Sequence, residues 1–275
     1  MKGFWAKIRG PAGPLVERHT LVVRLSHWIN AGCLIVLFMS GLQIFNAHPA
    51  LYWGKTSDFD HPLLSMTAEE GANGIKGVTT IGDRAFNTTG LFGASESEGM
   101  VTARGFPAWA TLPGPQWLAM GRLWHFAFAW IFILNGLVFA LWAVARRHLT
   151  RDLLPKGEDW RALPRDILDH LRLRFAHTAR YNVLQKISYT VVIFGLGPLV
   201  LLTGLTMSPT MDAAVPGLLA LFGGRQSART IHFLCAFSFF GFFLIHIAMV
   251  ILSGAWNNLR SMITGRYRVT EEDHG

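Results

Sequence analysis

His232 and His246 lie fourteen residues apart inside one uncharged apolar run, 231–252. On an α-helix, fourteen residues rise roughly 21 Å and turn through almost four full turns, so both imidazoles emerge on nearly one face. Ionisable side chains in a membrane-length run are costly and usually functional. Two of them on one face, about two thirds of a hydrocarbon thickness apart, suit a helix shared by two cofactors. A six-coordinate b-type haem needs one imidazole on each side of its iron and no covalent tether. Each of these two histidines therefore needs a partner at its own depth.

The elements that must supply those partners are readable from charge. The chain has 275 residues and half are apolar. Four stretches carry no Asp, Glu, Lys or Arg: 25–54, 123–145, 187–208 and 230–258. Each holds about 20 predominantly apolar residues, enough to cross a bilayer as a helix. The expectation is an all-α integral membrane protein, a four-helix transmembrane bundle forming one domain over 1–275. Its spans would be about 25–46, 123–145, 187–208 and 230–252, with a periplasmic loop 47–121 and a cytoplasmic loop 146–182. Residues 213–222 are too few to span and contain Pro216, so they read as an interfacial or re-entrant piece. No internal sequence repeat is evident.

With both termini in the cytoplasm, eighteen Lys and Arg lie inside and seven outside. That bias supports four spans with both termini inside. It also accounts for the pI of about 10 without nucleic acid. Residues 1–24 have no apolar core of signal-peptide length, so the first span is expected to be retained. Cys33 and Cys235 fall in spans, without the spacing of covalent haem or a metal knot, and read as packing residues.

Topology then places the histidines. His125 and His232 begin spans that run inward, so both sit at the outer level. His27 begins the first span at the inner level, and His246 approaches the end of the fourth. Four histidines thus form two level pairs, His125/His232 and His27/His246, as axial ligands of two haems. Proton-relay or interfacial histidines are the competing role, and zinc or copper lacks the usual extra Cys or carboxylate in these spans. His48, His61, His148, His170, His177 and His274 read as solvated, whereas His19 sits close enough to Arg24 to touch a propionate. Arg24, Arg122, Arg225 and Arg229 flank the ligand-bearing spans and could pair with propionates or with lipid phosphates. Gly32, Gly41, Gly136, Gly195, Gly204 and Gly241 would allow close helix approach or room for a porphyrin.

Loop 47–121 carries seven acids against four cations and five prolines. Its length suggests an ordered cap and docking surface, or a tolerated insertion. Tyr52-Trp53 and Trp109…Trp117 would anchor its two ends at headgroup level. Ile167, Leu171 and Phe175 recur every four residues among charges, as in an amphipathic helix on the inner leaflet, touching membrane lipids.

The start His27-Trp28, preceded by Arg24, resembles the first helix of the bacterial cytochrome b561 and nickel–iron hydrogenase b-subunit superfamily. The fourteen-residue histidine spacing resembles the shared ligand helix of the formate dehydrogenase gamma subunit. The run Arg180-Tyr181-Asn182-Val183-Leu184-Gln185-Lys186 resembles that subunit's Tyr-Asn-x-x-Gln-Lys entry into its third span. The whole is most similar in look to thiosulfate-reductase-type cytochrome b subunits. The resemblance implies a di-haem b-type anchor carrying electrons between a periplasmic oxidoreductase, of the molybdopterin kind, and the quinone pool. It implies that Asn182 contacts the quinone, menaquinone or ubiquinone, with Gln185 and Lys186 as neighbours; a helix N-cap is the other role open to Asn182. The loop 47–121 is longer than its counterpart there, so the partner's identity does not carry over. Two rival readings stay open: a stand-alone superoxide–quinone oxidoreductase of the cytochrome b561 type, and a haem-free membrane subunit.

Overall fold

The computed structural model of the chain describes residues 13–71, 74–175 and 181–270. His177, Arg180, His274 and the stretch 1–12 lie outside the described residues. Among the described residues four helices are long and apolar enough to cross a membrane: Leu21–Phe45, Leu118–Ala145, Val183–Thr206 and Arg225–Leu252. Each begins four or five residues before its uncharged run (21 against 25, 118 against 123, 183 against 187, 225 against 230). The helices continue through Arg24, Arg122, Lys186 and Arg229, because a long charged side chain near a helix end reaches water or a polar partner at little cost. On the second span Leu123, Trp130, Leu134, Leu137, Leu141 and Val144 all stand exposed. In water so large an apolar face would be untenable; against lipid it is the ordinary outer surface.

The third span is irregular. Val191–Leu196 is wound as a π-helix between the α-helical Val183–Thr190 and Gly197–Thr206. Pro198 lies two residues beyond it, after Gly197; it has no N–H to donate, and its ring crowds the carbonyl four residues back. A wider turn upstream relieves both. Residues 213–222 take in the end of one short helix, Pro209–Ala214, and the whole of a second, Pro216–Leu221, each opening on proline, whose fixed φ suits the first helical position.

The chain divides into two compact units. The cap unit comprises Ala31–Ile133 and Leu199–Phe237. Its long connection is not coil, and here the all-α expectation needs correcting. β2 (Ala50–Leu51), β3 (Leu64–Gly71), β4 (Gly74–Ile81) and β5 (Arg84–Asn87) form an antiparallel sheet in that order. β6 (Ala94–Ser97) and β7 (Met100–Ala103) form a second antiparallel pair. A Cβ at Gly77 would meet the backbone of Phe92 and Ala94, so only glycine lets β4 and the chain entering β6 lie this close. The core under the sheet is Leu42, Phe45, Leu51, Met66 and Phe106, with Phe233 and Phe237 packed against it.

Polar pins fasten this cap to the span ends. Asn46 brackets Phe106, its amide donating to the Phe106 carbonyl and its oxygen accepting from the Phe106 N–H. The N–H groups of Gln226 and Ser227, orphans of a helix start, both donate to the Gly54 carbonyl. Thr230 donates to the Tyr52 carbonyl at 2.7 Å, and Arg229 to the His48 carbonyl. Of the expected interfacial anchors Trp53, Trp109 and Trp117 are exposed, but Tyr52 is buried, its hydroxyl 3.1 Å from His48 Nε2.

The terminal unit comprises the described residues of 1–30, 134–198 and 238–275. β1 (Leu15–Glu17) pairs antiparallel with β8 (Arg266–Arg268), which joins the segment before the first span to the segment after the fourth. The connection after the second span contains the helix Gly157–Leu171, with Ile167, Leu168 and Leu171 exposed on it. Phe175, expected on the same stripe, falls beyond its end. Asp166 accepts from the Val183 N–H, and Asp159 holds the Lys186 ammonium at 2.8 and 2.9 Å, which fixes this helix to the start of the third span.

Candidate functional site

The four span histidines meet as two pairs, one in each unit. In the cap unit the ring centroids of His125 and His232 are 6.2 Å apart. In the terminal unit those of His27 and His246 are 6.1 Å apart. An imidazole nitrogen sits about 2.0–2.1 Å from a first-row metal ion and about 1.1 Å from its own ring centroid, so two imidazoles facing across one metal hold their centroids about 6.3 Å apart. Both pairs fit that separation. Among the described residues no group of three His, Cys, Asp or Glu gathers at a metal-binding spacing. A two-imidazole set suits axial ligation of a haem, which brings four equatorial nitrogens of its own, better than a zinc site wanting three or four protein ligands.

The surroundings of the cap pair strengthen that fit. His125 Nδ1 lies 3.1 Å from the Leu37 carbonyl and 3.1 Å from the Ser40 hydroxyl. His232 Nδ1 lies 2.9 Å from the Val200 carbonyl and 3.2 Å from the Thr203 hydroxyl. A carbonyl only accepts, so both rings carry their proton on Nδ1 and keep the Nε2 lone pair for a metal. In the terminal pair His27 Nδ1 is buried without a hydrogen-bond partner. His27 packs edge-on against Trp28, and His246 stacks on Phe242.

The arginines divide. Arg24 donates from Nη1 to the Ile263 carbonyl at 2.8 Å, while its Nε is buried and unpartnered. Arg229 is engaged by the His48 carbonyl and lies over the Phe45 ring. Arg225 pairs with Asp212 at 3.0 Å, and Arg122 lies over Phe126. Of the six glycines, Gly41 and Gly204 face His125 and His232, whereas a Cβ at Gly32, Gly136, Gly195 or Gly241 would meet nothing within 4 Å. Cys33 and Cys235 are buried and unpaired.

Asn182 takes the capping geometry: its side chain accepts from the Gln185 N–H at 2.8 Å, and Gln185 reciprocates to the Asn182 N–H at 3.2 Å. Its amide nitrogen takes no part in that box. Lys186 is committed to Asp159, whose carboxyl is held below the usual carboxylate range by the Lys156 backbone N–H and by Lys186 itself. Next to Asn182, Tyr181 places its hydroxyl 3.2 Å from His19 Nδ1, and Arg18 lies over both the Tyr181 and Tyr267 rings. Sequence reasoning set His19 beside Arg24 and missed Tyr181 as its partner, which lies 162 positions away.

Burial, and after it the Arg18 cation, pushes His19 down from 6.5 to about 4; His27, His148 and Arg24 act in the same sense. The unfolded chain takes up this proton near pH 6.5, whereas the folded chain resists it until about 4. Stability should therefore fall as pH drops from about 6.5 to about 4, with no further loss from this group below that. His19→Gln is expected to flatten part of the fall in thermal midpoint measured across that window; parallel curves for both proteins would refute the assignment.

Residues 18–265 match the family described as prokaryotic cytochrome b561. A chain of Azospira oryzae, whose name gives it as a candidate protein-methionine-sulfoxide reductase subunit, YedZ1, is 32% identical over 236 residues. That alignment covers 85% of this chain and 90% of the relative. No solved structure matches the chain significantly. Four apolar helices, two facing imidazole pairs and a match over nearly the whole length converge: the chain is a multi-pass membrane haem protein and belongs to the prokaryotic cytochrome b561 family.

Proposed function

We propose that this protein is a di-haem b-type cytochrome of the bacterial inner membrane, linking the quinone pool to a periplasmic oxidoreductase of the molybdopterin kind. The observation that carries the reading is the meeting of the four span histidines as two pairs, at 6.2 and 6.1 Å. His125 and His232 hold one haem and His27 and His246 the other. A bound haem supplies one-electron transfer; the protein supplies placement and electronic tuning. His125 and His232 belong to the unit that carries the β-rich cap, which is the docking face for the partner. His27 and His246 belong to the terminal unit, at the cytoplasmic side. There Asn182, through the amide nitrogen its cap leaves unused, meets the quinone. The buried Nε of Arg24 is offered to a propionate.

The relative's name favours a partnered subunit over a stand-alone superoxide–quinone oxidoreductase, and a reductase partner sets the direction. Electrons then leave quinol on the cytoplasmic side and reach the partner through the cap unit, the reverse of the path an oxidising partner would impose. Purified protein given menaquinol or ubiquinol is expected to develop a reduced b-type band that titrates with two midpoints. A titration with one midpoint, or indifference to both quinols, would overturn the reading.

A further inference from the structure

The environments of His125 and His232 are copies of one another. The first span presents Ser40-Gly41-Leu42 to His125, and the third presents Thr203-Gly204-Leu205 to His232. Each hydroxyl is bonded to the carbonyl four residues back, Val36 at 2.6 Å and Leu199 at 2.7 Å. Its proton is thereby spent on the helix, and the oxygen lone pairs are left to accept. Each imidazole Nδ1–H is shared between that oxygen and the carbonyl three residues before it, Leu37 or Val200. Each glycine follows the hydroxyl residue, and a Cβ on it would stand 3.4 Å (Gly41) or 3.2 Å (Gly204) from the imidazole Cε1. The same four offsets recur in the first and third spans, around the short matching runs Ser40-Gly41-Leu42 and Thr203-Gly204-Leu205, although no longer internal repeat is evident in the sequence.

We propose that Ser40-Gly41 and Thr203-Gly204 are twin seats that fix the orientation and donor strength of His125 and His232. Ser40 and Thr203 are thus positioning residues for the haem this pair holds; the inference rests on the haem assignment made above. The glycines let each ring lie down on the neighbouring helix far enough for Nδ1 to reach its carbonyl. The hydroxyls give each N–H a second acceptor. Donation from the distal ring nitrogen makes the ligating nitrogen more electron-rich, which stabilises ferric over ferrous iron and lowers the midpoint. His27, whose Nδ1 is buried without a partner, has no such seat. The twin seat is therefore a feature of the His125/His232 pair that His27 does not share.

The test is a redox titration with low-temperature EPR of the ferric protein, on Ser40→Ala, on the near-isosteric Thr203→Val, and on both together. The midpoint of the His125/His232 haem is expected to rise, so that its ferrous-to-ferric ratio at the original midpoint grows severalfold, with the largest shift in the double variant. Its ferric EPR signal should move as the rings turn, while the His27/His246 haem keeps both midpoint and signal. The conservative Ser40→Thr and Thr203→Ser should restore the original values. Loss of the cap-unit haem alone also supports the seats. Unmoved midpoints with both haems retained, or equal shifts in both, overturn them. Absence of any b-type band from the unsubstituted protein overturns instead the functional reading on which they rest.

Discussion

Replacing His232 by alanine is expected to remove about half of the haem b from the purified protein, and replacing His246 in the same chain to remove the rest. A b-type haem has no covalent tether, so its retention depends on the two axial bonds and the packing around the ring. Because each pair is one imidazole facing one other, the four single variants should fall into two indistinguishable classes. His125→Ala and His232→Ala should lose the same midpoint, and His27→Ala and His246→Ala the other. Losses across classes should add, and losses within a class should not, since the second substitution finds no haem left to lose. If His125→Ala and His232→Ala abolished different midpoints, the pairing would be wrong even though both residues bound haem. Unchanged content in all four would remove haem ligation by these residues altogether.

That experiment tests the part of the molecule most legible in its sequence. An uncharged run of membrane length is a strong signal, and a histidine inside one is rare enough to place by depth. Once the spans are ordered, pairing by level follows from direction alone, and the structure brings those same rings together. Contacts made by small or short elements were not readable in the same way. Ser40 and Thr203 carry no charge and sit among ordinary apolar residues, so nothing in the linear order ties them to His125 and His232. The cap strands are two to eight residues long, and β3 and β4 carry no regular apolar alternation, because β3 buries the adjacent Ser65 and Met66 and β4 buries Gly77 and Thr79. Tyr52 reads as an interfacial anchor together with its neighbour Trp53, but only Trp53 is exposed, and Tyr52 is buried. Asn182 kept two roles open, and the structure supplies the geometry of the cap while leaving its amide nitrogen for the other.

Arg104 is one of the seven Lys and Arg that the topology places outside, and it is the residue whose loss should damage the cap most. It is 3% exposed. Its guanidinium donates from Nε to the Phe106 carbonyl at 2.7 Å, from Nη1 to Ser97, and from Nη2 to Thr111 and the Gly114 carbonyl, each at 3.0 Å. All four acceptors are neutral. Burial holds its pKa below the usual arginine value, but a guanidinium keeps its proton throughout the physiological range. A buried cation is tolerable only when its donors are satisfied, and here one planar fork ties β6, the Phe106 turn and the 111–114 turn together. Phe106 is in turn the residue that Asn46, at the end of the first span, brackets through two hydrogen bonds. Arg104→Ala should therefore cost the cap about 3–5 kcal/mol, combining lost charge-assisted hydrogen bonds with a cavity among polar groups. Arg104→Lys should recover only part of this, since a point charge cannot span the same acceptors. Hydrogen exchange reads the result directly: amides of β6 and β7 should lose protection in Arg104→Ala, whereas those of β1, β8 and the Gly157–Leu171 helix should not. Unchanged protection in β6 and β7 would mean that the sheet and its apolar core hold the cap without the guanidinium.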